Sequence, residues 1–239
     1  MHRRAAGRIP PAGVGRIVAG AALGYLAGSV SFTRLLGRRL TGSPVLDGAA
    51  IPDGDARVVL SRVSPTSLGI RAGRGWGATA ALLEIGKSII PTWWCRRIWP
   101  GSGSAEAAMV GAVLGHAYPV FHRLRGGYGQ SPIVGGMLVL DPWAVPAAAA
   151  AASVAGVVLV DAWVVQDGWP PALIPWALWR GDHRMLAAVI AANAVYLTAV
   201  WPDALEHVRQ RRPASEPWAR RLRELPGAFS SGMDRVERA

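Results

Sequence analysis

The stretch from Ile17 to Phe32, IVAGAALGYLAGSVSF, contains no charged residue, and its apolar character extends from about Val14 to Leu36. Trp143 to Val165 is a second long, mainly apolar block, with an alanine run from Ala147 to Ala152. A bilayer core of about 30 Å takes about 20 helical residues, so blocks of this length read as membrane helices. Arg16 and Arg34 sit near the ends of the first block, where long side chains reach headgroups, and Gly20, Gly24 and Gly28 offer one close-packing face. No cleavage-site pattern follows this block, and it is expected to be a retained helix.

Composition supports the same class. Hydrophobic types make up 51% of the 239 residues and charged types only 17%, with a mean hydropathy of +0.24. That balance excludes a disordered chain, and the single cysteine, Cys95, excludes a disulfide scaffold. The net charge of +11 would suit nucleic acid, but the cations flank the apolar blocks, so no nucleic-acid partner is expected. Of the 26 basic residues one is a lysine, Lys87, and it falls inside an apolar segment.

Further segments are read at Trp76 to Trp99, Ala105 to Phe121 and Met185 to Trp201, with two short ones at Ser131 to Leu140 and Pro170 to Trp179. The fold class is therefore all-α, a polytopic bundle of about seven membrane segments. Between the first two segments, Gly37 to Gly75 reads as a long polar loop with a short strand at Arg57 to Leu60. Residues 1–201 form the membrane domain and 202–239 a basic tail. With the C-terminus inside, loops and tail place 16 basic residues inside against 8 outside, which favours a cytoplasmic C-terminus.

Familiar catalytic patterns are absent: there is no P-loop, Rossmann glycine pattern, G-x-S-x-G elbow or H-E-x-x-H. No metal-ligand spacing occurs, and no metal or other cofactor is expected. One stretch is distinctive: Gly115 to Phe121, GHAYPVF, followed by Arg123, Arg125, Gly126, Gly127, Tyr128 and Gly129. Glycines that expose backbone N–H groups beside arginines make an anion cradle; a glycine turn with arginines on headgroups has the same composition.

This stretch resembles the third motif of the PlsY family of bacterial acyl-phosphate:glycerol-3-phosphate acyltransferases, G-H-x-x-P-V-F-x-x-F-K-G-G-K-G. Tyr25 to Phe32, YLAGSVSF, is similar to that family's first motif, Y-L-L-G-S-I-P-F-G, and Leu83 to Pro91, LEIGKSIIP, to its L-D-x-x-K-G-x-x-P helix. Three departures accompany the resemblance. Val59 to Ser67 retains of the second motif, G-S-G-N-P-G-A-T-N, only Thr66, with Ser67 in place of its Asn; the loop lysine is Tyr128; and the final H-x-x-N-I has no counterpart near Trp201 to Leu205.

The resemblance implies direct acyl transfer from acyl phosphate to the 1-hydroxyl of glycerol 3-phosphate, giving lysophosphatidate, in the inner membrane and in contact with its lipids. It implies catalytic roles for Ser29 and His116, and phosphate binding by Arg57, Arg62, Thr66, Ser67, Lys87, Arg125, Gly126, Gly127 and Gly129. The alternative is a catalytically silent protein of the same fold that binds a lipid or a protein partner. Each residue also has a plainer role open to it. Ser29 can bond a carbonyl one turn back, Lys87 can pair with Glu84, and His116 can brace the glycine loop.

Overall fold

The computed structural model describes residues 11–42, 50–53, 56–59, 61–159 and 161–210. Its helices are α1 (Pro11–Ser29), α2 (Phe32–Thr41), α3 (Pro65–Ala72), α4 (Arg74–Ile98), α5 (Ser104–Ala117), α6 (Gln130–Leu140), α7 (Ala144–Leu159), α8 (Ala162–Asp167), α9 (Trp169–Arg180) and α10 (His183–Gln210). A 3-10 turn covers Val120–His122. Strands β1 (Ala50–Asp53) and β2 (Ala56–Val59) form an antiparallel hairpin with Ala50 opposite Val59.

The burial pattern is that of a protein whose outer solvent is lipid. Outward-facing positions are apolar, such as Leu82, Ile90, Val154 and Trp179, whereas Thr33, Glu84, Lys87, Ser88 and Thr92 are buried. In lipid the backbone must satisfy its own polar groups, so helices fill the spanning region. Two helical stretches, 13–41 and 183–206, are long and apolar enough to cross a bilayer on their own. At 11 and 12 residues, α6 and α9 rise about 16–18 Å, well short of a hydrocarbon core of about 30 Å, and depend on protein neighbours for cover.

Helix α1 lies along α5 through small residues on both sides. A Cβ at Gly20, Gly24 or Gly28 would collide with the carbonyl oxygens of Ser104, Ala108 or Ala112, and one at Gly111 or Gly115 with those of Ala21 or Tyr25. The repeat of four keeps these residues on one face of each helix, which lets the backbones touch. Beside this seam, Met109, Val113, Ile133, Met137, Leu173, Val189 and Tyr196 form the main apolar core shared by α5, α6, α9 and α10.

Several segment boundaries differ from those read in the sequence. The first apolar block is two helices, because Ser31 leaves the helical conformation and its side chain caps α2 by accepting from the Arg34 amide. Trp143 to Val165 is likewise broken, since Asp161 caps α8 by accepting from the Val164 amide. The expected helix to Phe121 stops at Ala117, just before Pro119. Within the supposed loop Gly37 to Gly75 lies α3, announced by Ser64 at its N-cap and Pro65 at its first position. The strand expected at Arg57 to Leu60 is found as β2, with Leu60 outside the described residues. Helix α10 continues through Pro202 to Gln210, and the basic chain after 210 lies outside the described residues.

The α1–α5 seam yields a direct test. Gly24→Val should lower stability by about 1–3 kcal/mol, the usual cost of overpacking, whereas Gly15→Ala, with open space around its Cα, should leave it unchanged. Thermal melts of the purified protein in one detergent check both.

Candidate functional site

The C-terminal end of α1, the start of α2, the middle of α4, the end of α5 and the loop 118–129 meet at one end of the bundle, and the polar residues buried there centre on Glu84. Its Oε1 accepts from both the amide and the hydroxyl of Thr33, each at 3.0 Å. Its Oε2 lies 2.6 Å from Lys87 Nζ and 3.3 Å from His116 Nδ1. Glu84 is fully buried and Lys87 is 6% exposed.

Lys87 also donates to the carbonyls of Gly28 at 2.7 Å and Val30 at 2.8 Å. These carbonyls flank the break between α1 and α2, where no next turn is present to bond them. An ammonium has three protons, and here Gly28, Val30 and Glu84 accept them. Lys87 is thus the cap of α1, tied to the α2 start through Glu84 and Thr33.

His116 turns Nδ1 to Glu84 and Nε2 to the glycine loop. A neutral imidazole that donates from Nδ1 keeps an acceptor at Nε2, the arrangement a proton acceptor needs. A Cβ at Gly127 would overlap His116 Nε2, and one at Gly126 the His116 carbonyl oxygen. Both glycines are therefore set by the histidine beneath them. Gly129, with φ of 97°, starts α6 in the left-handed region that glycine favours.

The remaining predicted residues fall in different places. Ser29 donates to the Tyr25 carbonyl at 2.8 Å and receives the Val120 amide at 3.4 Å, so it joins α1 to the 3-10 turn. Arg62 donates to the carbonyls of Ala117 at 3.0 Å and Gly127 at 3.4 Å and lies 5.2 Å from the Tyr118 ring centroid. Ser67 is buried and bonded to Ser64 in the α3 cap, while Thr66 is exposed. Arg125 is exposed, and its carbonyl accepts from Arg34 at 3.0 Å. Arg57 stands in β2 opposite Pro52. Within the loop, the Gly127 amide is given to the His116 carbonyl and the Arg125 amide to that of His122; the amides of Gly126 and Gly129 have no acceptor among the described residues.

The sequence reading missed Thr33, Tyr118 and Asp203, and placed Arg34 at the headgroups where the structure bonds it to the Arg125 carbonyl. Thr33 and Arg34 had a signal in Ser31, a cap residue that starts a new helix, takes the Arg34 amide itself and leaves the Thr33 amide to Glu84 of α4. Asp203 had none, because the hydroxyl of Tyr128 that it receives comes from 75 positions away.

A family model described as glycerol-3-phosphate acyltransferase matches residues 18–201. The chain belongs to that family. A glycerol-3-phosphate acyltransferase of Myxococcus xanthus (strain DK1622) is 38% identical over 128 residues, which is 53% of this chain and 62% of the relative. One of Pseudomonas paraeruginosa is 37% identical over 134 residues, 55% of this chain and 64% of the relative. The chain thus spans less than two thirds of the length of these relatives. The fold is shared with crystal structures of PlsY, an integral membrane glycerol 3-phosphate acyltransferase. The lysophosphatidic acid form matches with a TM-score of 0.66 at 18% identity, covering 82% of this chain and 94% of that one. The glycerol 3-phosphate form gives 0.64 at 20% identity, over 85% and 96%. This family member is an integral membrane protein with a polytopic helix-bundle fold.

The geometry of Lys87 predicts an asymmetric double-mutant cycle. Lys87→Met should cost roughly 3–5 kcal/mol by stranding the Glu84 carboxylate, and Glu84→Gln should also destabilise by leaving the lysine without its counter-ion. The double substitution should recover only part of the loss, because the Gly28 and Val30 carbonyls stay without a donor. Melts of the three variants in detergent measure this, and full recovery in the double variant would show that the two carbonyls do not need the lysine.

Proposed function

We propose that this protein transfers a fatty acyl group from acyl phosphate to the 1-hydroxyl of glycerol 3-phosphate, releasing phosphate and lysophosphatidate. The observation that carries this reading is the stack of Glu84, His116 and Gly127 at one end of a bundle whose family is established. A carboxylate orients an imidazole, and the far side of that imidazole faces a glycine loop whose Gly126 and Gly129 amides have no acceptor among the described residues.

In this reading the attacking hydroxyl gives its proton toward His116 Nε2, and Glu84 stabilises the cationic imidazole as it forms. The two free amides and the exposed Arg125 draw in the phosphate groups, and Ser29 holds the 3-10 turn against α1. Arg57, Thr66 and Ser67 belong to the segment that borders the acceptor. Lys87 and Arg62 act on the substrate through the backbone they hold. The site faces the cytoplasm, where both phosphorylated substrates are found, and the C-terminus lies on that side of the inner membrane.

A second reading, a silent relative that binds a lipid or a protein, is favoured by the engagement of Lys87 and Arg62 with protein carbonyls and by Tyr128 at the place of the family pattern's loop lysine.

Reconstituted protein supplied with acyl phosphate and glycerol 3-phosphate should form lysophosphatidate. Gly127→Ala should cut the rate by about 100-fold or more, an effect on the scale of losing positioned donors in an active site, while the protein still inserts. No turnover by the unaltered protein, together with retained lipid binding, would favour the silent reading.

Orientation is tested separately. A cysteine placed at Gly42, in a chain whose own buried Cys95 has been changed to alanine, should react with an impermeant thiol reagent only after cells are opened. Labelling in intact cells would put the site on the outer face.

A further inference from the structure

Three segments distant in sequence meet beside the glycine loop. The Tyr128 hydroxyl donates to Asp203 Oδ2, and the Ser61 amide donates to the same oxygen at 3.4 Å. Asp203, one residue beyond Pro202 in α10, is 6% exposed. Five residues earlier on α10, Thr198 Oγ1 lies 2.9 Å from the Tyr118 hydroxyl. Next along the chain from Ser61, Arg62 reaches the carbonyls of Ala117 and Gly127. Helix α10 thus holds both the glycine loop and the segment that carries Arg62.

A buried carboxylate is costly, and an apolar pair would fill the same volume. What a polar pair adds is a fixed register between the parts it joins. Burial first, then the Asp203 carboxylate, push the Tyr128 phenol well above its ordinary range, so the hydroxyl keeps its proton and remains a donor. Tyr128 stands between Gly127 and Gly129, so whatever fixes its ring also fixes the loop backbone on either side. Both residues lie at the departures from the PlsY pattern noted in the sequence, the loop lysine and the end of the last segment, and in the structure those two departures are one contact.

We propose that Tyr128 and Asp203 are a positioning pair, a clamp between the glycine loop and α10 that fixes the backbone from Gly126 to Gly129 where the phosphate of the acceptor binds. This rests on the glycerol 3-phosphate reading above. The clamp acts through the hydrogen bond and not through the charge of Asp203, because an amide oxygen at that place accepts from the same phenol and the same Ser61 amide.

The experiment uses full-length protein in liposomes with acyl phosphate and glycerol 3-phosphate, together with hydrogen exchange of the peptide containing Gly126 to Gly129. Tyr128→Phe, which removes one oxygen, and Asp203→Ala should each raise KM for glycerol 3-phosphate about tenfold, the scale of one lost hydrogen bond. KM for acyl phosphate and kcat should stay within about twofold, and loop exchange should accelerate about tenfold. Asp203→Asn should restore all of these to near the unaltered values. A purely structural role would change both substrates' constants together.

Unchanged KM and exchange in Tyr128→Phe would overturn the clamp, as would Asp203→Asn behaving like Asp203→Ala. If neither disrupting variant accumulates, Tyr128→Gln, which keeps a donor, is compared with Tyr128→Met, which has none, and equal behaviour of the two overturns it. Absence of acyl transfer in the unaltered protein would sink the substrate reading, and a change of loop exchange in Tyr128→Phe would still decide whether the clamp exists.

Discussion

A single ammonium group holds together the break on which the site is built. Where α1 gives way to α2, the carbonyls of Gly28 and Val30 lose the helical donors that would have followed, in a region with little water to replace them. Lys87 supplies two bonds to these carbonyls and a third to Glu84, and Glu84 in turn caps the first turn of α2 through Thr33. Ser31 starts the new helix, and this pair satisfies the polar groups that the break leaves exposed and ties Thr33 to α4. Because the remaining bond of Glu84 goes to His116, the same carboxylate that repairs the break orients the candidate base.

The small-residue seam between α1 and α5 makes this geometry possible. With α1 and α5 in backbone contact, Tyr25 reaches the Tyr118 carbonyl at 3.0 Å and Ser29 reaches the Val120 amide. Larger residues at Gly24 or Gly111 would push the helices apart and take the 3-10 turn away from α1. Dense packing by van der Waals contact, without a hydrophobic drive between helices, is what a lipid environment allows. In this way the register of the seam, set deep in the bundle, fixes the position of the loop at its end.

Much of this is written in the sequence in a readable form. The apolar blocks gave the class because lipid imposes length and composition. Lys87 and His116 stood out because a titratable group inside such a block is rare and must have a partner. The breaks at Ser31 and Asp161 were hidden in continuous apolar runs: one cap residue is enough to end a helix, and hydropathy averaged over a window does not register it. The helix α3 was missed for the opposite reason, since a polar eight-residue element has no apolar stripe long enough to stand out. Arg62 and Tyr128 were legible as chemistry but not as geometry, because their partners at Ala117, Gly127 and Asp203 are brought to them only by the fold.

The glycines of the loop show why composition could not separate the two readings of Gly126 to Gly129. Gly126 and Gly127 are required by contact with His116, whatever the loop binds. An anion cradle and a tight packing turn therefore demand the same residues, and the difference lies in where the amides go. The Gly127 amide is spent on the His116 carbonyl, which fastens the loop to α5, and the buried amides of Gly126 and Gly129 on either side of that fastening have no acceptor among the described residues. A loop pinned at its centre, with unpaired donors on both sides, is the arrangement that the proposed anion site requires, because such donors are held in place before a ligand arrives.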